Sequence, residues 1–173
     1  MDVQDQHRAR VAQLRESFAA ANQRLLQRLR DAGAEGDCAT DDGWSPAQIG
    51  WHVAAVTTRF AGIISGEVPG AQPVAADFRE RPWPEIVPTI AARLRAPASV
   101  QPPPDVRCRQ AIADLEAAGT RMLESLDSLG SERASSYGIT SPIVGVINLY
   151  QVAEWATAHT IRHNRQAKIT LGR

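Results

Sequence analysis

Cysteine is nearly missing from this chain. Cys38 and Cys108 are the two among 173 residues, too few for a disulfide framework and without the CxxC spacing of a thiol-based zinc or redox motif. Both are expected to be reduced thiols of a cytoplasmic protein. A surplus of either charge is lacking too: 19 basic residues balance 19 acidic ones, for a net charge of zero. A neutral chain has no electrostatic footprint for phosphate backbones, so no nucleic-acid partner is expected. Hydrophobic residues make up 43% of the chain, yet nowhere do they form the run of roughly 18 that a membrane helix requires, and no membrane partner is expected. The first ten residues, MDVQDQHRAR, have no apolar stretch behind their charges, so they are not read as a secretory signal. No segment shows convincing strand alternation.

Helical periodicity is what the sequence does contain. Val11, Leu14, Phe18, Leu25 and Leu29 recur at helical spacing between about Gln4 and Ala32, which predicts one long helix. The glycines of DAGAEGD stop it. A second helix is predicted from WSPAQ, with Ser45 as N-cap and Pro46 in the first turn, where its missing N–H costs nothing. It runs through Ile49, Val53, Val56 and Phe60 to about Ser65. A third, roughly Val106 to Leu129, carries Ile112, Leu115, Met122, Leu126 and Leu129. The start signal returns at TSPIV, so a fourth is predicted from the Ser141 cap and Pro142 to about Ile169.

Nine of the eleven prolines fall between Pro69 and Pro104, where only EIVPTIAARLR could form a short helix. The expected class is therefore an all-α four-helix bundle, one domain over residues 1–173 with a proline-rich crossover at about 67–105. Short links make helices one and two antiparallel neighbours, and likewise three and four. A link of this length can cross the whole bundle, so that helices two and three run parallel and helices two and four antiparallel.

That topology bears on the histidines. His159 and His163, in HTIRHNRQ, stand four residues apart, one turn above the other on a single helix face. His52 lies about two turns into the second helix. Were the second and fourth helices parallel, His52 and His159 would differ in height by about 15 Å at 1.5 Å per residue. Antiparallel, they come level, and three imidazoles can converge. Trp44 and Gln48 share the face of His52, and Val152, Trp155 and Gln166 that of the other pair, so large apolar side chains surround a few polar ones. Three neutral imidazoles suit zinc or nickel, with ferrous iron a third choice, and leave a position open for water or substrate. Thr160 stands where a zincin would carry its glutamate, which removes the metalloprotease class. Taken singly, each histidine is explained as well by a solvated surface or a satisfied core position; the matching heights favour a shared site. His7, near the start of the first helix, is expected at the surface.

W-S-P-x-Q-I-x-W-H in the second helix, the proline-interrupted crossover and E-W-x-x-x-H-x-x-R-H-x-x-Q in the fourth resemble the DinB/YfiT-like superfamily over nearly the whole chain. The resemblance implies a four-helix bundle with a crossover between helices two and three. It also implies one divalent metal ion per chain held by His52, His159 and His163, with Arg162 and Gln166 in supporting positions. Homodimerisation is implied as well, although no apolar stripe here specifies it. Characterised relatives include transferases and isomerases that use low-molecular-weight thiols such as mycothiol, bacillithiol or glutathione, so a small-molecule thiol is the expected substrate class.

Two function classes stay open. One is a metal-dependent enzyme of thiol-transferase or hydrolase type; the other is a non-catalytic metal-binding or stress-response module whose ion is structural or regulatory. No general base is evident, since Glu154 lies about 140° around the helix from His159, and the catalytic residues are unknown. Arg59 and Arg162 could hold an anionic substrate, though a solvated arginine is the commoner case.

Overall fold

The computed structural model of the chain describes residues 2–38, 43–89 and 95–172. Four long helices form the bundle: α1 (Val3–Ala32), α2 (Pro46–Ser65), α4 (Cys108–Asp127) and α6 (Leu149–Thr170). Two short ones, α3 (Trp83–Ile86) and α5 (Ser131–Ser136), belong to the connections. The start of α2 is a complete capping box: Ser45 Oγ accepts from the Gln48 amide at 3.1 Å, and Gln48 Oε1 accepts from the Ser45 amide at 2.9 Å. Its end is Gly66 at φ 90°, a left-handed cap that glycine adopts without strain.

Side-chain contacts fix the directions. Phe60, late in α2, packs on Trp155, early in α6, with ring centroids 5.1 Å apart; His52, early in α2, meets His163, late in α6, at 4.8 Å. Helices α2 and α6 are therefore antiparallel. Gly50 faces Ala111 and Leu115 while Gly62 faces Arg121, so α2 and α4 run parallel, as the crossover requires. Along α1 and α6, His7 pairs with Tyr150 and Arg28 with Asn164, which makes that pair parallel. The expected antiparallel directions hold, but not the neighbours: α1 and α2 lie across the bundle from one another, and each packs instead on α4 and α6.

The fourth long helix starts later than the sequence suggests. Ser141 and Pro142 do not cap it; they sit at the tip of a hairpin between β2 (Tyr137–Ser141) and β3 (Gly145–Asn148), which joins β1 (Gln72–Pro73) in a small antiparallel sheet of order β1-β2-β3. Ile139, Thr140, Val146 and Ile147 are β-branched and favour the pleated surface, and Gly145 at φ 76° supplies the positive φ that closes the tight turn. The cap is Asn148, whose Oδ1 accepts from the Gln151 amide at 3.0 Å.

Two buried clusters fill the interior. One gathers Phe18, Phe60, Met122, Ile147 and Leu149 under the hairpin; the other gathers Leu25, Leu29, Ile49, Val53 and Leu115 toward the start of α2. Each such side chain contributes about 1.5–3 kcal/mol by leaving water. A Cβ on Gly50 would stand 2.6 Å from Leu29 Cδ1 and 3.3 Å from Ala111 Cβ, so a larger residue two positions before His52 would force the Leu29 side chain to shift. No described helix is long and apolar enough to cross a membrane. The crossover touches the bundle at both ends. Of the short helix expected in EIVPTIAARLR, the described part is the end of α3 followed by a 3-10 turn at Val87–Thr89; residues 90–94 lie outside the described residues.

Candidate metal centre

Antiparallel packing of α2 on α6 brings His52, His159 and His163 together. One ring nitrogen from each lies within 4.8 Å of the others, and among the described residues this is the one group of histidine, cysteine and carboxylate side chains that could hold a metal ion. The ring centroids are 5.1, 4.8 and 4.4 Å apart for the pairs 52–159, 52–163 and 159–163. Nε2 of His52 and Nε2 of His159 approach to 3.2 Å. Two ligands about 2.05 Å from a tetrahedral zinc are about 3.3 Å apart, so that pair is already spaced as zinc ligands are.

Hydrogen bonds orient the rings. Nδ1 of His52 lies 2.7 Å from the carbonyl oxygen of Val100, which can only accept. His52 therefore carries a proton on Nδ1 and presents a bare Nε2 to its neighbours. Nδ1 of His163 lies 2.8 Å from Oε1 of Gln166, a side-chain amide that can present either its oxygen or its NH2. His159 is half-buried as a residue, but its Nδ1 is enclosed and has no hydrogen-bond partner among the described residues. Nε2 of His52 and Nε2 of His159 face one another, so a cation between them would take a lone pair from each.

The charge state agrees. Burial, the approach of His163 and His52, and the Arg162 charge hold His159 well below the usual imidazole range. Burial first, then His52 and Arg162, bring His163 down to about 4 against the raising effect of Gln166. Burial lowers His52 although its bond to Val100 works the other way. All three are neutral at pH 7, the form that binds metal. Trp44 closes one side, its ring 4.9 Å from that of His52.

Other candidates fall elsewhere. Glu154 turns away from the histidines, as its helical angle predicts, and accepts from Trp83 Nε1 at 2.5 Å and from Arg10 at 2.9 Å. Arg59 is exposed. His7 is not a bare surface residue: it is half-buried, with Nδ1 2.7 Å from the Tyr150 hydroxyl. Cys108 is buried beside Asp37, and burial, then that carboxylate, push its thiol up to about 11, so it is no thiolate nucleophile. Two surface grooves, along α1 and α4 near Arg15 and along α1 and α6 near Gln13, contain none of the three histidines. The participant that sequence reading missed is Val100. A backbone carbonyl has no side-chain signature, and nothing in the proline-rich segment marks it.

A helical bundle with a crossover and three converging imidazoles defines a class: bundle proteins whose candidate metal centre is built from facing helices. The family follows from comparison. The DinB superfamily model matches residues 17–167, and the chain belongs to that superfamily. Comparison with curated proteins finds no match.

Proposed function

We propose that His52, His159 and His163 hold one divalent ion, zinc or nickel before iron, and that the protein is a metal-dependent enzyme of thiol-transferase or hydrolase type. The observation that supports this most is the convergence of three imidazoles, with the bare Nε2 of His52 3.2 Å from Nε2 of His159, in a cluster that no carboxylate joins among the described residues. Three neutral ligands leave the full double charge on an ion, which suits an anionic nucleophile better than a thiolate-rich site does. When bound, the ion would supply the Lewis acidity that lowers the pKa of a low-molecular-weight thiol or a water molecule. The chain's own part is to keep three imidazoles neutral by burial, to orient two through Nδ1 and to shield His52 with Trp44.

Elemental analysis of protein purified without a histidine tag or added metal is expected to find zinc or nickel near one per chain. Protein that takes up no zinc or nickel on titration overturns the metal centre. For catalysis, the cobalt-substituted protein is expected to change its visible spectrum on adding glutathione as probe thiol. It is further expected to consume the thiol when an electrophilic acceptor is present. A spectrum indifferent to thiol and to water exchange would leave the ion structural and overturn the enzyme.

A further inference from the structure

We infer that the proline-rich crossover is a positioning element of the metal centre, acting through the carbonyl of Val100 on His52. The inference rests on the metal reading above and adds to it a role for a segment that carries no ligand. Val100 ends a 3-10 turn at Ala98–Val100 and is 8% exposed, so its side chain is anchored in the bundle while its carbonyl points at Nδ1 of His52, 2.7 Å away. One turn before His52 on the same face of α2, Gln48 Nε2 donates to the carbonyls of Pro103 and Pro104 at 3.2 and 3.4 Å. The two helical positions thus hold the crossover at two points, and all three bonds run from a side chain of α2 to backbone carbonyls of the crossover.

The choice of acceptor matters. An amide side chain such as Gln166 can turn over and offer either its oxygen or its NH2, so it orients His163 without dictating which nitrogen is protonated. A backbone carbonyl offers no such alternative. With Nδ1–H committed to Val100, only Nε2 of His52 can face His159 and His163, and the ring cannot flip without breaking the bond. Partners of this kind ordinarily change metal affinity by about 10–100-fold. Val100 also explains why the crossover carries a buried valine among exposed residues: Pro97, Ala98, Ser99 and Gln101 are all exposed. The anchor is what brings the carbonyl within reach.

The test separates positioning from metal binding. Nitrogen-15 NMR of metal-free wild-type protein is expected to show His52 protonated at Nδ1. Val100→Gly, with Val100→Ala read instead if the glycine variant fails to fold by circular dichroism, is expected to lose that preference. It should also bind zinc at least about tenfold more weakly in competition with a chelator, while helical content is kept. His52 protonated at Nε2 in the wild type overturns the inference without any variant, as does a variant that loses the Nδ1 proton at unchanged zinc affinity. A wild type that binds no zinc overturns the metal reading itself, a result the tautomer measurement cannot produce.

Discussion

Two stations along α6 gather polar groups and satisfy them in opposite ways. At the first turns, Glu80 and Glu154 share the guanidinium of Arg10, at 3.0 and 2.9 Å; Asn148 donates to Glu80 at 2.9 Å and Trp83 to Glu154 at 2.5 Å. The Arg10 guanidinium also lies over the Tyr150 ring, 4.2 Å from its centroid. Every charge there has an opposite within the protein. Further along, His52, His159 and His163 have each other, two oriented nitrogens and one nitrogen without a partner. The first station is complete as it stands and fastens the crossover to the bundle. The second is made of neutral imidazoles whose facing nitrogens offer lone pairs that a cation would take. A polar cluster is evidence of a ligand only when its own members leave valences over.

The largest effect should come from removing a ligand at the second station. His159→Ala is expected to lower zinc affinity by more than about a hundredfold, read by chelator competition, while circular dichroism stays native, since the helices bury their cores without the ion. Retention of stoichiometry and affinity would remove His159 from the site. The fold's independence from the ion is the sharper half: loss of helix in the variant would mean the histidines are core residues first.

How far this was legible in the sequence follows the same division. Repeats of apolar residues and the Ser45–Pro46 start placed α1, α2 and α4, and the length of the proline-rich segment implied parallel α2 and α4. From that topology the three histidines came level without any side-chain geometry. The hairpin escaped because Ser141–Pro142 repeats the chemistry of a helix start; a serine before a proline serves a turn equally well, and strands of five and four residues are too short to show a period. Neighbour choice escaped because link length sets direction but not which helices touch. The first station escaped altogether, as Arg10, Glu80 and Glu154 are far apart in sequence and ordinary in type.

A smaller effect is expected at the first station. Arg10→Ala leaves Glu80 and Glu154 without their cation. Their side chains are 35% and 27% exposed, so water repays part of the loss, and a destabilisation of about 1–2 kcal/mol is expected from urea titration. Zinc affinity should change by no more than about twofold, because distant sites act independently. A tenfold fall in affinity would show that the crossover couples the two stations along its length.

The smallest effect concerns protons. Burial alone would push the Glu80 carboxyl upward, but hydrogen bonds from Arg10 and Asn148 and the Arg10 charge outweigh it, and the group sits below the ordinary 4.5. Its folded value is lower than its unfolded one, so between the two the unfolded chain binds the extra proton. The stabilisation is complete above about pH 4.5 and is lost as pH falls through the lowered value. Glu80→Gln should therefore lower Tm near neutral pH and flatten its decline below about pH 4.5 relative to wild type. Asn148 and Arg10 remain to bond the new amide oxygen, so the loss at neutral pH should be smaller than that of Arg10→Ala. Parallel Tm profiles for Glu80→Gln and wild type between about pH 6 and 3 would mean that the carboxylate is screened by solvent and that the first station owes its stability to Trp83 and Glu154 instead.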